Sequence, residues 1–110
     1  MLKNDNIFLE HILESINLIQ IHVKGLKFSD FADSWPLLDA SIHRIEIIGE
    51  AANKISDSFK KKHKNIPWKD IVGMRNFLIH EYFNVDDKEV WRTIKKDLPY
   101  LKKMIKNILK

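Results

Sequence analysis

Two side chains in the second half of the chain have the types needed for phosphate chemistry, Arg75 and His80. A guanidinium is a permanent cation with a planar fork that grips phosphate or carboxylate. An imidazole, with an unperturbed pKa of about 6.5, takes and gives protons near neutrality. Arg75 sits in the middle of the apolar stripe Trp68, Ile71, Val72, Leu78, Ile79 and Tyr82, at a spacing where another Leu or Ile would fit. A charge among apolar neighbours is costly unless it is paired. Either a carboxylate answers it as a structural ion pair, with Glu46 and Glu50 as candidates, or it lines a polar cleft.

His80 follows five residues later, about 140° round an ideal helix and about 7.5 Å along its axis. The two side chains therefore do not share a face. Asn76 and His80 do, at i and i+4, and so do Arg75 and Tyr82, at i and i+7. If Arg75 and His80 serve one site, their helix bends near its end or a second copy of the chain supplies part of the site. A twofold dimer does the latter without strain.

Other chemistry is weakly represented. His11, His22, His43 and His63 lack a paired metal-ligand spacing with a nearby carboxylate, so no metal site is expected. There is no glycine-rich phosphate loop and no Ser-His-Asp arrangement. The run Lys60-Lys61-Lys62-His63-Lys64 reads as a solvated basic turn or as a steering patch for phosphates. Lys95, Lys96, Lys102, Lys103 and Lys106 read as the outer face of the last helices, and Trp35, Trp68 and Trp91 as core residues.

Helical periodicity runs through most of the chain, and no Asn-Gly or Asp-Gly hairpin signal occurs. A first helix is expected from about Asp5, as N-cap, to Lys24, with the stripe Leu9, Ile12, Leu13, Ile16, Ile19 and Val23, stopped by Gly25. Residues 26 to 34 form a connection whose Phe28 and Phe31 pack back. Pro36 occupies the first turn of a second helix ending near Ile55, with the stripe Leu38, Ile42, Ile45, Ile48, Ala52 and Ile55. A short helix or turn carries Asp57 to His63. Pro67 opens a third long helix to roughly Tyr82, and a fourth runs from Asp86 or Asp87 to about Lys96. Asp97-Leu98-Pro99 reads as a cap and first turn for a last helix to Leu109. The expected fold is all-α, an antiparallel up-and-down bundle of four to five helices in one domain over residues 1–110.

Composition agrees with this. At 45% apolar and 31% charged residues the chain can bury a core, and without cysteine it has neither disulfides nor thiolate metal sites. Lys3 and Asp5 interrupt the N-terminus before a signal peptide could form, and no apolar run approaches membrane length, so a cytoplasmic protein with no membrane partner is expected. A net charge of +4 favours polyanionic partners. The excess is mostly lysine, which grips phosphate less specifically than arginine does.

Ile48-Gly49-Glu50-Ala51, Pro67-Trp68, Gly73-Met74-Arg75-Asn76, His80-Glu81-Tyr82, Val90-Trp91 and Leu98-Pro99, in this order and spacing, resemble the HepT-like branch of the HEPN superfamily. These are ribonuclease toxins encoded beside MntA-type nucleotidyltransferase antitoxins. The resemblance spans nearly the whole chain and is strongest from Ile48 to Leu101. It implies a HEPN-like bundle and a metal-independent, cofactor-free endoribonuclease that acts on RNA as a homodimer. Carried over by position, Arg75 and His80 are the catalytic pair, Asn76 supports them, and Tyr82 accepts AMP from the antitoxin. The alternative within the same resemblance is a non-catalytic module that binds a nucleotide or docks a nucleotidyltransferase.

Overall fold

The computed structural model describes the backbone of residues 3–80 and 86–109, and side chains from 4 to 74 and from 86 to 109. Among these residues there are helices and no strand. The all-α expectation holds.

Helix α1 spans Lys3–Val23. Its stripe Leu9, Ile12, Ile16, Ile19 and Val23 is buried. Gly25, at φ +77°, ends it in the left-handed conformation that glycine adopts without a Cβ penalty. The connection that follows folds into a single turn, α2, Phe28–Ala32, in which the Lys27 backbone N–H donates to Asp30 Oδ2 at 2.9 Å. Phe31 is buried there, and both Phe28 and Phe31 pack on the Trp91 ring at centroid distances of 6.1 and 5.0 Å.

Helix α3, Trp35–Lys54, starts where Ser34 Oγ accepts from the Leu37 backbone N–H, with Pro36 in its first turn. Leu38, Ile42, Ile45, Ile48 and Ala52 form its buried stripe. Helix α4, Asp57–Lys62, is capped by Ser56, and α5 runs Trp68–His80. Helix α6, Asp87–Arg92, is capped by Asp86, whose Oδ1 accepts from the Lys88 backbone N–H at 2.9 Å. Helix α7 spans Leu98–Leu109. The central rod is α3, which packs against α1 and α5; α6 meets α2 and α3, and α7 meets α1.

Three expectations are corrected. Asp5 is not the cap of α1: the helix is already formed at Lys3, and Asp5 is 2% exposed. Its carboxylate accepts from the Ser56 backbone N–H at 2.9 Å and from Ser56 Oγ–H at 2.8 Å. Asp5 therefore ties the start of α1 to the α3–α4 junction, which also makes α1 and α3 antiparallel. A buried carboxylate is tolerated when donors surround it, and Ser56 supplies two. Asp5→Ala strands both donors, and we expect a loss of about 2 kcal/mol, roughly 10 °C in the thermal midpoint measured by circular dichroism.

The second correction concerns Asp97-Leu98-Pro99, which does not start a separate helix. Residues Thr93–Asp97 form a π turn that joins α6 to α7 without a break, and the Leu98 N–H reaches back to the Thr93 carbonyl. Pro99 has no N–H to donate and would crowd the carbonyl four residues earlier; a widened turn just before it accommodates both facts. Asp97 faces Arg92 at 3.6 Å.

The third is Trp35, which is 66% exposed, whereas Trp68 is buried and Trp91 partly so. Trp35 continues the line of Leu38, Ile42 and Ile45 one turn beyond the described core.

Candidate functional site

The residues singled out by type and spacing fall on α5 and just beyond it. Pro67 precedes the helix, and Trp68 anchors its start by packing on Phe59 and donating its indole N–H to the His63 carbonyl at 3.0 Å. From there α5 is unbroken through His80. Trp68 and Ile71 are buried. The backbone position of Arg75 continues their line, seven and four residues on. Gly73 lies on an exposed edge. Positions 76 and 80 follow it within about 60° round an ideal helix, and position 80 lies about 10.5 Å farther along the axis. The backbone thus keeps Arg75 and His80 on different lines of one uninterrupted helix. The side chains of Arg75, Asn76 and His80, and the whole of Tyr82, lie outside the described residues.

Glu46 and Glu50 stand on α3, both half-buried. With Phe8, His11, His43 and Lys54 they line a shallow pocket of about 290 Å³ on the α1 side of α3. Glu50 lies 3.7 Å from Lys54, one turn on. Among the described residues no group of three or more His, Asp or Glu is arranged to hold a metal ion.

Periodicity gave no sign of a second feature. Helices α5, α6 and α7 enclose a cleft of about 720 Å³ whose wall includes Ile45 of α3. Its floor is apolar, with Ile45, Ile71, Val90, Leu98, Leu101 and Met104. Asp70, Gly73, Asp86, Glu89, Arg92, Lys96, Asp97 and Tyr100 also line it. Arg92 donates to Glu89 at 2.9 Å and lies 3.6 Å from Asp97. The Glu89 hydrogen bond first, then the charge of Asp97, hold its guanidinium above the ordinary arginine range. Glu46 and Glu50 lie about 100° and 140° round α3 from Ile45, so the structure does not bring them into this cleft. The cleft opens instead on the Gly73 edge of α5, the edge that leads to positions 76 and 80.

The chain that forms this bundle, with its Arg-Asn-x3-His run on α5, matches a family described as Ribonuclease HepT-like over residues 12–108. The chain belongs to the HepT-like family. It is 44% identical over 108 residues to a protein of Caldanaerobacter subterraneus subsp. tengcongensis named as a candidate RNase, covering 98% of this chain and 96% of that one. A probable ribonuclease HepT of Thermococcus cleftensis is 41% identical over 102 residues, 93% of each chain. In Methanocaldococcus jannaschii a protein named as a gamma-glutamylcyclotransferase and candidate RNase is 47% identical over 109 residues, which cover 99% of this chain and 49% of that longer one. No solved structure matches the chain.

Proposed function

We propose that this protein is a metal-independent endoribonuclease, the toxin of a toxin–antitoxin pair, working in the cytoplasm as a homodimer. The observation that carries this reading is the match to HepT-like relatives named as RNases, together with an intact Arg75-Asn76-x3-His80-x-Tyr82 run in the sequence.

RNA carries its own nucleophile. A base removes the proton of the 2′-hydroxyl, the oxygen attacks the adjacent phosphorus, and the 5′-oxygen leaves with a proton from an acid. The products are a 2′,3′-cyclic phosphate and a 5′-hydroxyl. His80 suits either proton role, Arg75 holds the phosphoryl oxygens, and Asn76 orients His80 or bonds the phosphate. One imidazole cannot reach both sides of the phosphorus, so the two copies of His80 in a dimer divide the roles. The continuity of α5 through His80 supports a site shared between copies, because a bend within the helix is the other way to bring positions 75 and 80 together.

Purified protein with end-labelled RNA in EDTA tests the activity. We expect fragments ending in cyclic phosphate, and no cutting of the matching DNA, which lacks the 2′-hydroxyl. Cutting that disappears in EDTA and returns with magnesium overturns the mechanism. The shared site has its own test. Inactive Arg75→Ala and His80→Ala proteins, mixed and allowed to exchange subunits, are expected to regain activity. No recovery despite proven exchange puts both residues in one chain.

Silencing falls to Tyr82. In this reading an MntA-type nucleotidyltransferase moves the α-phosphoryl group of ATP, as AMP, onto the tyrosine hydroxyl and releases pyrophosphate.

A further inference from the structure

Gly73 has no local structural reason to be glycine. It sits inside α5, where glycine costs helix stability relative to alanine. Its φ is not in the left-handed region, and among the described residues nothing lies within 4 Å of where a Cβ would stand. A glycine at such a position leaves room for close approach of something outside the fold. What it opens onto is the α5–α7 cleft.

The chemistry of that cleft selects its occupant. The floor is apolar, which suits the face of a ring. Among the described residues the charged groups around it are Asp70, Asp86, Glu89 and Asp97 against Arg92 and Lys96, a balance of −2 that disfavours a phosphate beside the carboxylates. Glu89 and Asp97 are engaged by Arg92, and Asp86 caps α6. Asp70, exposed on the first turn of α5, is the carboxylate placed to accept from an amino group. Tyr100, 63% exposed, stands at the rim, with Lys96 four residues before it in the π turn and Lys103 three after it on α7, both exposed. The π turn sets this arrangement, because it turns α7 so that Leu98 and Leu101 go inward while Tyr100 stays out. Such turns recur at functional sites.

We infer that the cleft is a subsite for one unpaired RNA base. Tyr100 stacks on the base, Asp70 accepts from its exocyclic amino group, and Lys96 and Lys103 take the flanking phosphates outside the cleft. The inference rests on the proposed ribonuclease reading, which makes RNA the ligand; a short stretch of single strand leads from the Gly73 edge to positions 76 and 80. Adenine, cytosine and guanine carry an exocyclic amino group and uracil does not, so the subsite disfavours cutting near uracil.

The test uses the full chain and fluorescein-labelled single-stranded DNA octamers of dA, dC or dT, which bind without being cut. Wild type is expected to hold oligo-dA and oligo-dC about tenfold more tightly than oligo-dT. Tyr100→Ala is expected to weaken oligo-dA binding about tenfold, and Tyr100→Phe to keep it. Gly73→Leu fills the mouth; its thermal midpoint is expected to hold or rise, its dimer mass to stay, and its oligo-dA binding to fall as far. Binding unchanged in both Tyr100→Ala and Gly73→Leu overturns the subsite. So does loss in Tyr100→Phe equal to that in the alanine variant. A Gly73→Leu protein that becomes monomeric assigns the cleft to a second copy of the chain and also overturns it. The two readings fail separately, because wild type that cuts no RNA counts against the ribonuclease, while octamer binding reports on the cleft alone.

Discussion

Arg75→Ala and His80→Ala are each expected to lower RNA cleavage at least ~100-fold, with EDTA leaving wild-type activity in place. The size follows from what each group supplies. A positioned acid or base contributes roughly 100- to 10,000-fold, and a cation aimed at the phosphoryl oxygens a comparable amount. The register of α5 separates these effects from simple loss of fold. Position 80 follows the exposed Gly73 edge, so His80→Ala removes little from the core, and circular dichroism is expected to show an unchanged thermal midpoint within a few degrees. Position 75 continues the buried Trp68–Ile71 line, so its thermal midpoint must be measured beside its rate. A folded, dimeric His80→Ala protein that cuts RNA at the wild-type rate removes histidine from the mechanism.

Tyr82→Phe is expected to keep most cleavage and to lose all silencing by a partner nucleotidyltransferase with ATP and magnesium. The hydroxyl has no proton role in the proposed cleavage, so its removal spares the reaction. In the proposed silencing it is also the atom that takes AMP, so its removal is expected to block the modification. The attached phosphodiester brings one negative charge and two non-bridging acceptor oxygens, which would occupy the Arg75 guanidinium and repel incoming RNA. Intact-mass measurement checks this: AMP additions on wild type and none on Tyr82→Phe. A variant that is still modified and silenced, or wild type silenced without a change of mass, dismisses Tyr82 as the switch.

The rods of the bundle were legible in the sequence because each carries a stripe of period 3.6 and a chemically explicit end. Ser34, Ser56 and Asp86 cap their helices, and Gly25 stops the first. Two of the misreadings share a physical cause, that a local capping rule gave way to another partner. Asp5 looked like a cap, yet it answers Ser56, 51 residues away. Asp97-Leu98-Pro99 looked like a helix start, yet Asp97 faces Arg92 and the chain widens instead of breaking. A signal for that existed in the apolar residues Val90, Ile94 and Leu98. Two successive steps of four drift about 80° on an ideal helix, and a wider turn between them reduces that drift. For the candidate site, residue types and spacing pointed to α5 and to the offset between positions 75 and 80. The cleft beside it was not legible, because it is built from four elements and no single period encodes it.

The π turn has a mechanical consequence. A loop between two helices absorbs a displacement of one by bending, and the other need not follow. Here α6 and α7 form one shaft that changes phase once and never loses its hydrogen-bonded continuity. At one end its Trp91 ring is wedged against Phe31, and farther along Lys102 bonds Gln20 of α1 at 2.9 Å. Such a shaft passes on twist. The chain enters it at Asp86, four residues after Tyr82. A turn imposed at that end is therefore delivered along the shaft to α1 through Lys102 and Gln20.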